Sequence, residues 1–189
     1  MTDVGGIGPL LARLAAAFES AKVEYAVVGS VASSFHGEPR STQDIDVIAR
    51  LGRADVARLA AEFPEEDFYF DRDMVIESLK TRQPFNIIDL RTMWKADIIL
   101  PRETYTNEQL ARRQRVNIQG IALFVATAED TVISKMRWSQ LAGSDRQLRD
   151  VAGIVRVRGA SLDATFISTL VGRFGLEAEW AQVLEIAAS

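Results

Sequence analysis

The chain has 189 residues, of which 48% are hydrophobic and 25% charged, and its formal net charge is −4 at pH 7. This composition is that of a globular protein and excludes a disordered or low-complexity chain. The absence of cysteine excludes disulfides, zinc–thiolate centres, iron–sulfur clusters and a cysteine nucleophile, and favours a reducing, cytoplasmic location. No stretch approaches the roughly 20 apolar residues of a membrane span, so no membrane partner is expected.

Hydrophobic periodicity predicts alternating helices and short strands in the first half of the chain. The predicted helices cover residues 8–21, 31–36, 53–62 and 72–80. The predicted strands cover residues 25–28, 44–49, 85–90 and 95–100. Gly37 and Pro39 follow the second helix as stop signals, and Pro101 ends the last of these strands.

The second half of the chain changes character. A basic helix is predicted over 106–115, followed by a hairpin whose strands cover 116–118 and 121–125. Thr127 before Asp130 and Ser144 before Gln147 have the spacing of capping boxes. The remaining predicted elements are helices over 128–142, 145–158, 161–172 and 175–187. These patterns predict an α+β domain over 1–126 and a C-terminal helical part over 127–189 packed on it.

The charged residues are unevenly distributed. Residues 61–77 contain seven acidic residues and one arginine, whereas residues 135–158 contain six basic and two acidic residues. A basic segment can bind a polyanion although the whole chain is acidic. Solvated helix faces are the alternative interpretation of the same pattern.

Asp44-Ile45-Asp46 is the first motif that carries chemistry. Aspartates at positions i and i+2 of a strand point to the same face, with Cα atoms about 6.6–7 Å apart. Carboxylate oxygens suit Mg²⁺ or Mn²⁺, and two such ions can hold the attacking and leaving oxygens of a phosphoryl transfer. Alone, the motif is also typical of solvated residues at strand ends.

Gly29-Ser30 gives this aspartate pair a context. The two residues follow a predicted buried strand and begin a predicted helix, where glycine permits close backbone approach and free N–H groups can bind phosphate oxygens. An ordinary strand-to-helix turn is the alternative. Arg40 and Thr42 lead from this turn into the aspartates.

The run from Val28 to Val47, VGSVASSFHGEPRSTQDIDV, resembles the signature of the nucleotidyltransferase superfamily of DNA polymerase β type. In that signature a Gly-Gly or Gly-Ser pair precedes Asp-x-Asp. The His-Gly, Arg and Thr within the run, and the later Ser134-Lys135, are similar to the bacterial AbiEii-type branch. The resemblance covers about residues 22–160 and implies an α+β fold in which a short mixed sheet flanked by helices is followed by a helical part.

The resemblance also implies a chemistry. A nucleoside triphosphate binds with Mg²⁺, and its nucleoside monophosphate moves to an acceptor hydroxyl with release of pyrophosphate. Gly29 and Ser30 would hold the β- and γ-phosphates, and Asp44 and Asp46 would coordinate the metal. Arg40, Thr42 and Lys135 are further nucleotide-binding candidates. Pairing with a nearby acid is the alternative for Arg40, and a solvated helix position is the alternative for Lys135.

The family's third carboxylate should lie on a neighbouring strand, where it ligates the metal and helps to deprotonate the acceptor. Asp97 lies mid-strand in Lys95-Ala-Asp-Ile-Ile and is the preferred candidate. Asp89 precedes Leu-Arg-Thr and is better interpreted as a strand-end residue that starts a turn. Asp150 is a further acidic candidate, although it could instead pair with Arg146 at i,i+4 spacing.

The leading hypothesis is therefore a Mg²⁺- or Mn²⁺-dependent nucleotidyltransferase whose acceptor is RNA or tRNA, a protein, or a small molecule. The AbiEii-type resemblance adds a toxin role with a cognate antitoxin as partner. The competing hypothesis is a non-catalytic nucleotide-binding or toxin–antitoxin interaction protein with the same fold.

Overall fold

A computed structural model describes residues 5–189 and shows an α+β fold with one seven-stranded mixed sheet in this range. The helices are α1 Gly8–Ser20, α2 Gly29–His36, α3 Arg53–Glu62, α4 Arg72–Thr81, α5 Thr104–Arg112, α6 Ala128–Ala142, α7 Asp145–Arg158, α8 Ala164–Phe174 and α9 Glu177–Ala188. The strands are β1 Glu24–Val27, β2 Asp44–Arg50, β3 Phe68–Tyr69, β4 Phe85–Asp89, β5 Lys95–Ile99, β6 Gln114–Ile118 and β7 Ile121–Val125.

The described residues divide into two compact units. The sheet unit consists of residues 5–28 and 41–126, and the helical unit consists of residues 29–40 and 127–189. Helix α2 belongs to the helical unit although it lies early in the chain, and the predicted domains 1–126 and 127–189 stay a prediction. The predicted domain limits began at residue 1, and residues 1–4 lie outside the described residues.

The sheet unit holds all seven strands in the order β3-β4-β5-β2-β1-β7-β6. β2 is antiparallel to β1 and parallel to β5, while β5 is also antiparallel to β4. Strand β2 therefore lies near the middle of the sheet, where both of its edges are hydrogen-bonded. Its alternate residues Ile45 and Val47 have no exposed surface, so the intervening side chains share the other face of the sheet.

Apolar side chains explain why these strands pack as they do. Leu11, Leu14 and Phe18 of α1 are at most 1% exposed, and α1 lies against β7. The aromatic ring of Phe18 stacks on that of Tyr25 in β1, with centroids 5.1 Å apart. A continuous apolar core thus fixes the centre of the sheet.

The helical unit is built from α2 and α6–α9. Helix α7 packs against α6 and α9, and α2 packs against α6 and α7. Gly37 follows α2 and lies so close to α7 that a Cβ atom there would be 2.6 Å from the backbone nitrogen of Ile154. The close approach of these segments therefore depends on glycine at this position.

The structure corrects several element predictions. The two-residue strand β3 was not predicted, because two residues show no periodicity. The basic segment was predicted as helical to residue 115, whereas α5 ends at Arg112 and β6 starts at Gln114, where it pairs with β7. Helix α8 starts at Ala164 rather than 161, because the Asp163 side chain accepts a hydrogen bond from the backbone of Phe166 and caps it.

At the two predicted capping boxes, the side chain of the first residue caps the helix in one case only. The Thr127 hydroxyl accepts a hydrogen bond from the Asp130 backbone at 3.0 Å. At the start of α7, Ser144 makes no side-chain capping bond, and Gln147 instead accepts a hydrogen bond from Lys135. Across residues 5–189, no helix combines the length and apolarity needed to cross a membrane.

Candidate active site

Three predicted carboxylates share one face of the sheet unit. Asp44 and Asp46 occupy alternate positions of β2 and are half-buried, while the residues between and after them point into the core. Asp97 has the equivalent position on β5, between buried Ala96 and Ile98. The pattern of alternate burial on each strand therefore directs the three aspartates away from the core.

The strand register brings Asp97 opposite Asp46. β2 and β5 are parallel neighbours, and their Cα partners include Asp46 with Asp97 and Asp44 with Lys95. Hydrogen-bonded neighbouring strands lie about 4.8 Å apart. On the other side of β5, the partner of Asp97 is Asn86 of β4, which adds no charge. We define Asp44, Asp46, Asp97 and Lys95 as the carboxylate face.

Lys95 is a member of this face that the sequence analysis did not assign. Its Nζ lies 2.9 Å from Oδ2 of Asp97. The hydrogen bond to Asp97 raises the pKa of Lys95; burial opposes this rise, and the charges of Asp97, Asp44 and Asp46 add to it. Lysine at position i and aspartate at i+2 of one strand share a face, so the spacing was the available signal.

The oxygen donors of the carboxylate face match the preference of Mg²⁺ and Mn²⁺. Register and burial place the carboxylates of two neighbouring strands on one surface. Among residues 5–189, no three His, Cys, Asp or Glu side chains already form a metal-binding group. The donor set thus fits the ion in its chemistry, while Asp97 is engaged with Lys95.

Thr42 lies beside this face. Its hydroxyl is within hydrogen-bond distance of the Asp44 carbonyl oxygen, at 3.1 Å, and of Asp44 Oδ1, at 3.2 Å. A hydroxyl that donates to a carboxylate restricts its rotamers, so Thr42 helps to orient Asp44. Its predicted contact with nucleotide stays a prediction.

Asp89 has the local role that the sequence indicated. It ends β4, and its Oδ1 accepts hydrogen bonds from the backbone of Arg91 at 2.9 Å and of Thr92 at 3.3 Å. Burial raises the pKa of Asp89, but the hydrogen bonds from Arg91 and Thr92 outweigh burial and hold it below its usual value. Asp89 therefore closes the turn between β4 and β5, and the preference for Asp97 as the third carboxylate stays a prediction.

A second group of predicted residues lies in the helical unit. The Arg40 guanidinium donates to both carboxylate oxygens of Asp150, with Nε 2.8 Å from Oδ1 and 3.0 Å from Oδ2, and its Nη2 lies 2.5 Å from the Ser30 hydroxyl. Lys135 Nζ donates to Asp150 Oδ2 at 2.7 Å and to Gln147 Oε1 at 2.9 Å. We call these five residues the basic network.

The basic network holds two cations, Arg40 and Lys135, around the one carboxylate of Asp150. The side chains of Lys135 and Asp150 are only 5% and 8% exposed, so Lys135 is not the solvated helix residue of the alternative prediction. Burial raises the pKa of Asp150, but the hydrogen bond from Arg40 and the charge of Lys135 outweigh it and hold the pKa below its usual value. Asp150 is thereby kept ionised, as the partner of two cations.

Gly29 starts α2 with a φ of +60°. This is the left-handed region, in which a Cβ atom is unfavourable. The backbone conformation therefore favours glycine at position 29. Ser30 is the first residue of α2 that carries a side chain. Contacts of Gly29 and Ser30 with phosphate stay predictions.

Much of the basic segment 135–158 has partners within the helical unit. Arg156 forms an ion pair with Glu38 at 2.7 Å, and the Arg158 side chain donates to the His36 carbonyl oxygen at 3.1 Å. The Arg137 guanidinium lies 4.4 Å from the ring centroid of Phe174. These contacts weaken the interpretation of the segment as a surface for a polyanion.

Solved structures share the fold. An antigenic nucleotidyltransferase-like protein from Paracoccidioides brasiliensis superposes with a TM-score of 0.57 at 16% identity, covering 94% of this chain and 91% of the other. ANT(2″)-Ia in complex with adenylyl-2″-tobramycin gives a TM-score of 0.58 at 11% identity, covering 88% and 97%. A putative nucleotidyltransferase from Thermotoga maritima superposes with a TM-score of 0.50 at 13% identity, covering 73% of this chain and 88% of the other. At these identities the similarity shows the fold. Comparison with curated protein sequences finds no match.

A family model matches residues 11–155, which is well over half of the chain and includes both the carboxylate face and the basic network. These comparisons do not identify the AbiEii-type branch, so that part of the resemblance stays a prediction. The general resemblance to nucleotidyltransferases is confirmed. The chain belongs to the family described as nucleotidyltransferase of unknown function, DUF6036.

Proposed function

We propose that this protein transfers a nucleoside monophosphate from a nucleoside triphosphate to an acceptor hydroxyl and releases pyrophosphate. The observation that carries the proposal is the parallel pairing of β2 with β5, which places Asp97 opposite Asp46 on the face that Asp44 shares. Three carboxylates on one surface repel one another and lose hydration. A divalent cation bound to the three carboxylates would offset this repulsion, which is why we infer a metal site here.

In this proposal Asp44, Asp46 and Asp97 would hold Mg²⁺ or Mn²⁺. The ion, when bound, would neutralise phosphate charge and align the reacting oxygens. Asp97 accepts the proton of the acceptor hydroxyl, whose oxygen forms a bond to the α-phosphorus. The bond between the α-phosphorus and the bridging oxygen breaks, and pyrophosphate leaves with that electron pair. Thr42 supports the reaction by orienting Asp44.

The basic network is proposed to bind phosphate oxygens. Ser30 offers a hydroxyl, and Arg40 and Lys135 supply the positive charge. Asp150 fixes the direction of both cations through the hydrogen bonds described above. The Gly29 turn leaves backbone N–H groups at the start of α2 available for the same anion. Asp150 is therefore a positioning residue in this proposal.

Acceptor candidates are RNA or tRNA, a protein, and a small molecule with a hydroxyl group. The fold neighbour ANT(2″)-Ia was solved with adenylyl-2″-tobramycin, which illustrates a small-molecule acceptor on this fold. The internal partners of Arg156 and Arg158 reduce the case for RNA. A toxin role with a cognate antitoxin rests on the AbiEii-type resemblance alone.

Thermal shift measurements test nucleotide binding. We expect ATP, GTP, CTP or UTP to raise the melting temperature only when Mg²⁺ is present, and Asp46→Asn to abolish this shift because it removes a metal ligand. Asp73→Asn, an exposed aspartate in the first turn of α4, is the matched control and should behave as the wild type. Stabilisation that is independent of the metal would favour the non-catalytic alternative.

Transfer itself is tested by incubation with α-labelled nucleotides and a cell extract. We expect label in one acceptor class with the wild type and none with Asp46→Asn. Nuclease, protease and size fractionation then distinguish RNA, protein and small-molecule products. If the wild type leaves every fraction unlabelled with all four nucleotides and Mg²⁺, the proposed transfer is wrong.

A further inference from the structure

The carboxylate face contains a cation of its own. Lys95 and Asp97 occupy alternate positions of β5, with Lys95 Nζ 2.9 Å from Asp97 Oδ2. The side chains are 36% and 25% exposed, respectively, so solvent only partly screens their attraction. Asp97 is therefore held by an ion pair within its own strand.

Lys95 is also close to the other two carboxylates through the strand register. Its Cα partner on β2 is Asp44, while Asp97 pairs with Asp46. The four side chains occupy two neighbouring positions on each of two parallel strands, all on the half-exposed face. Their formal charge is −2, whereas the three aspartates alone would carry −3.

We infer that Lys95 is an internal competitor of the divalent cation, which lowers the metal affinity of the face by occupying Asp97 Oδ2. An oxygen that accepts a hydrogen bond from an ammonium group at 2.9 Å has less electron density to offer a metal, and the ammonium charge repels the incoming ion. The inference rests on the proposed function for its choice of Asp97 as a metal ligand.

This competition has a consequence for the order of binding. Lys95 occupies Asp97 Oδ2, so this oxygen becomes a metal ligand only after Lys95 has left it. A nucleotide that brings its own metal and its own negative charge provides Lys95 with another anion to bind, so the complete face assembles with substrate.

The experiment is a Mn²⁺ titration without nucleotide, followed by the electron paramagnetic resonance signal of free Mn²⁺. Lys95→Met removes the ammonium group and keeps the length of the side chain. Since Lys95 is partly exposed, solvent moderates the effect of its charge, and we expect roughly tenfold tighter Mn²⁺ binding. Lys95→Arg retains the charge and should bind as weakly as the wild type.

Two further variants make the result specific. Lys80→Met removes the same charge from the exposed ion pair of Lys80 with Glu77, so it should leave Mn²⁺ affinity unchanged. Asp97→Asn removes the ligand for which Lys95 competes. In the Asp97→Asn background, Lys95→Met should therefore give little or no gain in Mn²⁺ affinity. Circular dichroism melting curves confirm that each variant is folded.

Three results would overturn the inference: equal affinity of Lys95→Met and the wild type, an undiminished gain in the Asp97→Asn background, or no Mn²⁺ binding by any variant. The label-transfer assay separates this inference from the proposed function. A tenfold gain in Mn²⁺ affinity without any transfer refutes the transferase proposal alone. Transfer by the wild type without a gain in Lys95→Met refutes only the role of Lys95.

Discussion

Asp150→Asn is the substitution with the largest stability effect that we expect in the helical unit. The carboxylate accepts hydrogen bonds from Arg40 and Lys135, and asparagine keeps its size and one carbonyl oxygen but loses its charge. The ammonium group of Lys135, whose side chain is 5% exposed, then loses its ion pair with Asp150. The consequence is a buried cation that has lost the negative charge 2.7 Å away.

Removal of one partner of a buried ion pair costs about 3–5 kcal/mol. The Arg40 side chain is 22% exposed and can recover hydration, so most of the cost comes from Lys135. Gln147 Oε1 remains as an acceptor for Lys135 at 2.9 Å. We therefore expect Asp150→Asn to lower the free energy of unfolding by about 3 kcal/mol, at the lower end of this range.

Urea denaturation followed by circular dichroism measures this loss. Lys135→Met removes the ammonium group that has lost its ion pair with Asp150, so the double variant should be more stable than the sum of the two single losses predicts, by at least about 1 kcal/mol. A loss below about 1 kcal/mol in Asp150→Asn, or strictly additive losses, would refute the view that the two buried charges depend on each other.

The same network predicts a pH dependence. The Arg40 hydrogen bond and the Lys135 charge overcome the effect of burial and lower the pKa of Asp150, so the folded state binds this proton less readily than the unfolded state. The stabilisation is complete above the unfolded pKa of about 3.9 and is lost as the pH falls through the folded pKa. The stability difference between the wild type and Asp150→Asn should be constant from about pH 7 to pH 5 and decrease below about pH 4.

Two paired comparisons test the third carboxylate and the packing of α2. Asp97→Asn should abolish label transfer, while Asp89→Asn should retain it, because asparagine can still accept the hydrogen bonds of the turn; the reverse outcome would exchange their roles. Gly37→Ala should lower the free energy of unfolding by about 1–3 kcal/mol, since its Cβ would lie 2.6 Å from the Ile154 backbone nitrogen. A Cβ atom at Gly172 in α8 would meet no atom within 4 Å, so Gly172→Ala should instead raise the free energy of unfolding by up to about 1 kcal/mol. Equal losses of stability for the two variants in urea denaturation would contradict the packing argument.

Much of the sheet unit could be predicted because its strands alternate in hydrophobicity. In β5, Ala96 and Ile98 are buried on either side of Asp97, which is the pattern that distinguished Asp97 from Asp89. The neighbour relation of β2 and β5 could not be predicted in this way. Alternation defines the faces of a single strand, whereas the strand order depends on how distant segments pair.

The partners of the basic network show a second limit of sequence reasoning. Local spacing suggested Arg146 as a partner of Asp150, yet the structure joins Asp150 to Arg40, which lies 110 positions earlier. Helical spacing ranks only partners on the same helix. The prediction for Arg40, pairing with a nearby acid, was right in kind, but the identity of that acid required the packing of α2 against α7.

Asp46 and Asp97 are partners in the sheet although α3, β3, α4 and β4 lie between them in the chain. An unfolded chain holds these two aspartates far apart, so an ion that needs both has affinity only for the native arrangement. Such an ion stabilises the folded protein in proportion to the logarithm of its concentration. If the proposed ion binds to both central strands, the free energy of unfolding will therefore rise with the metal concentration.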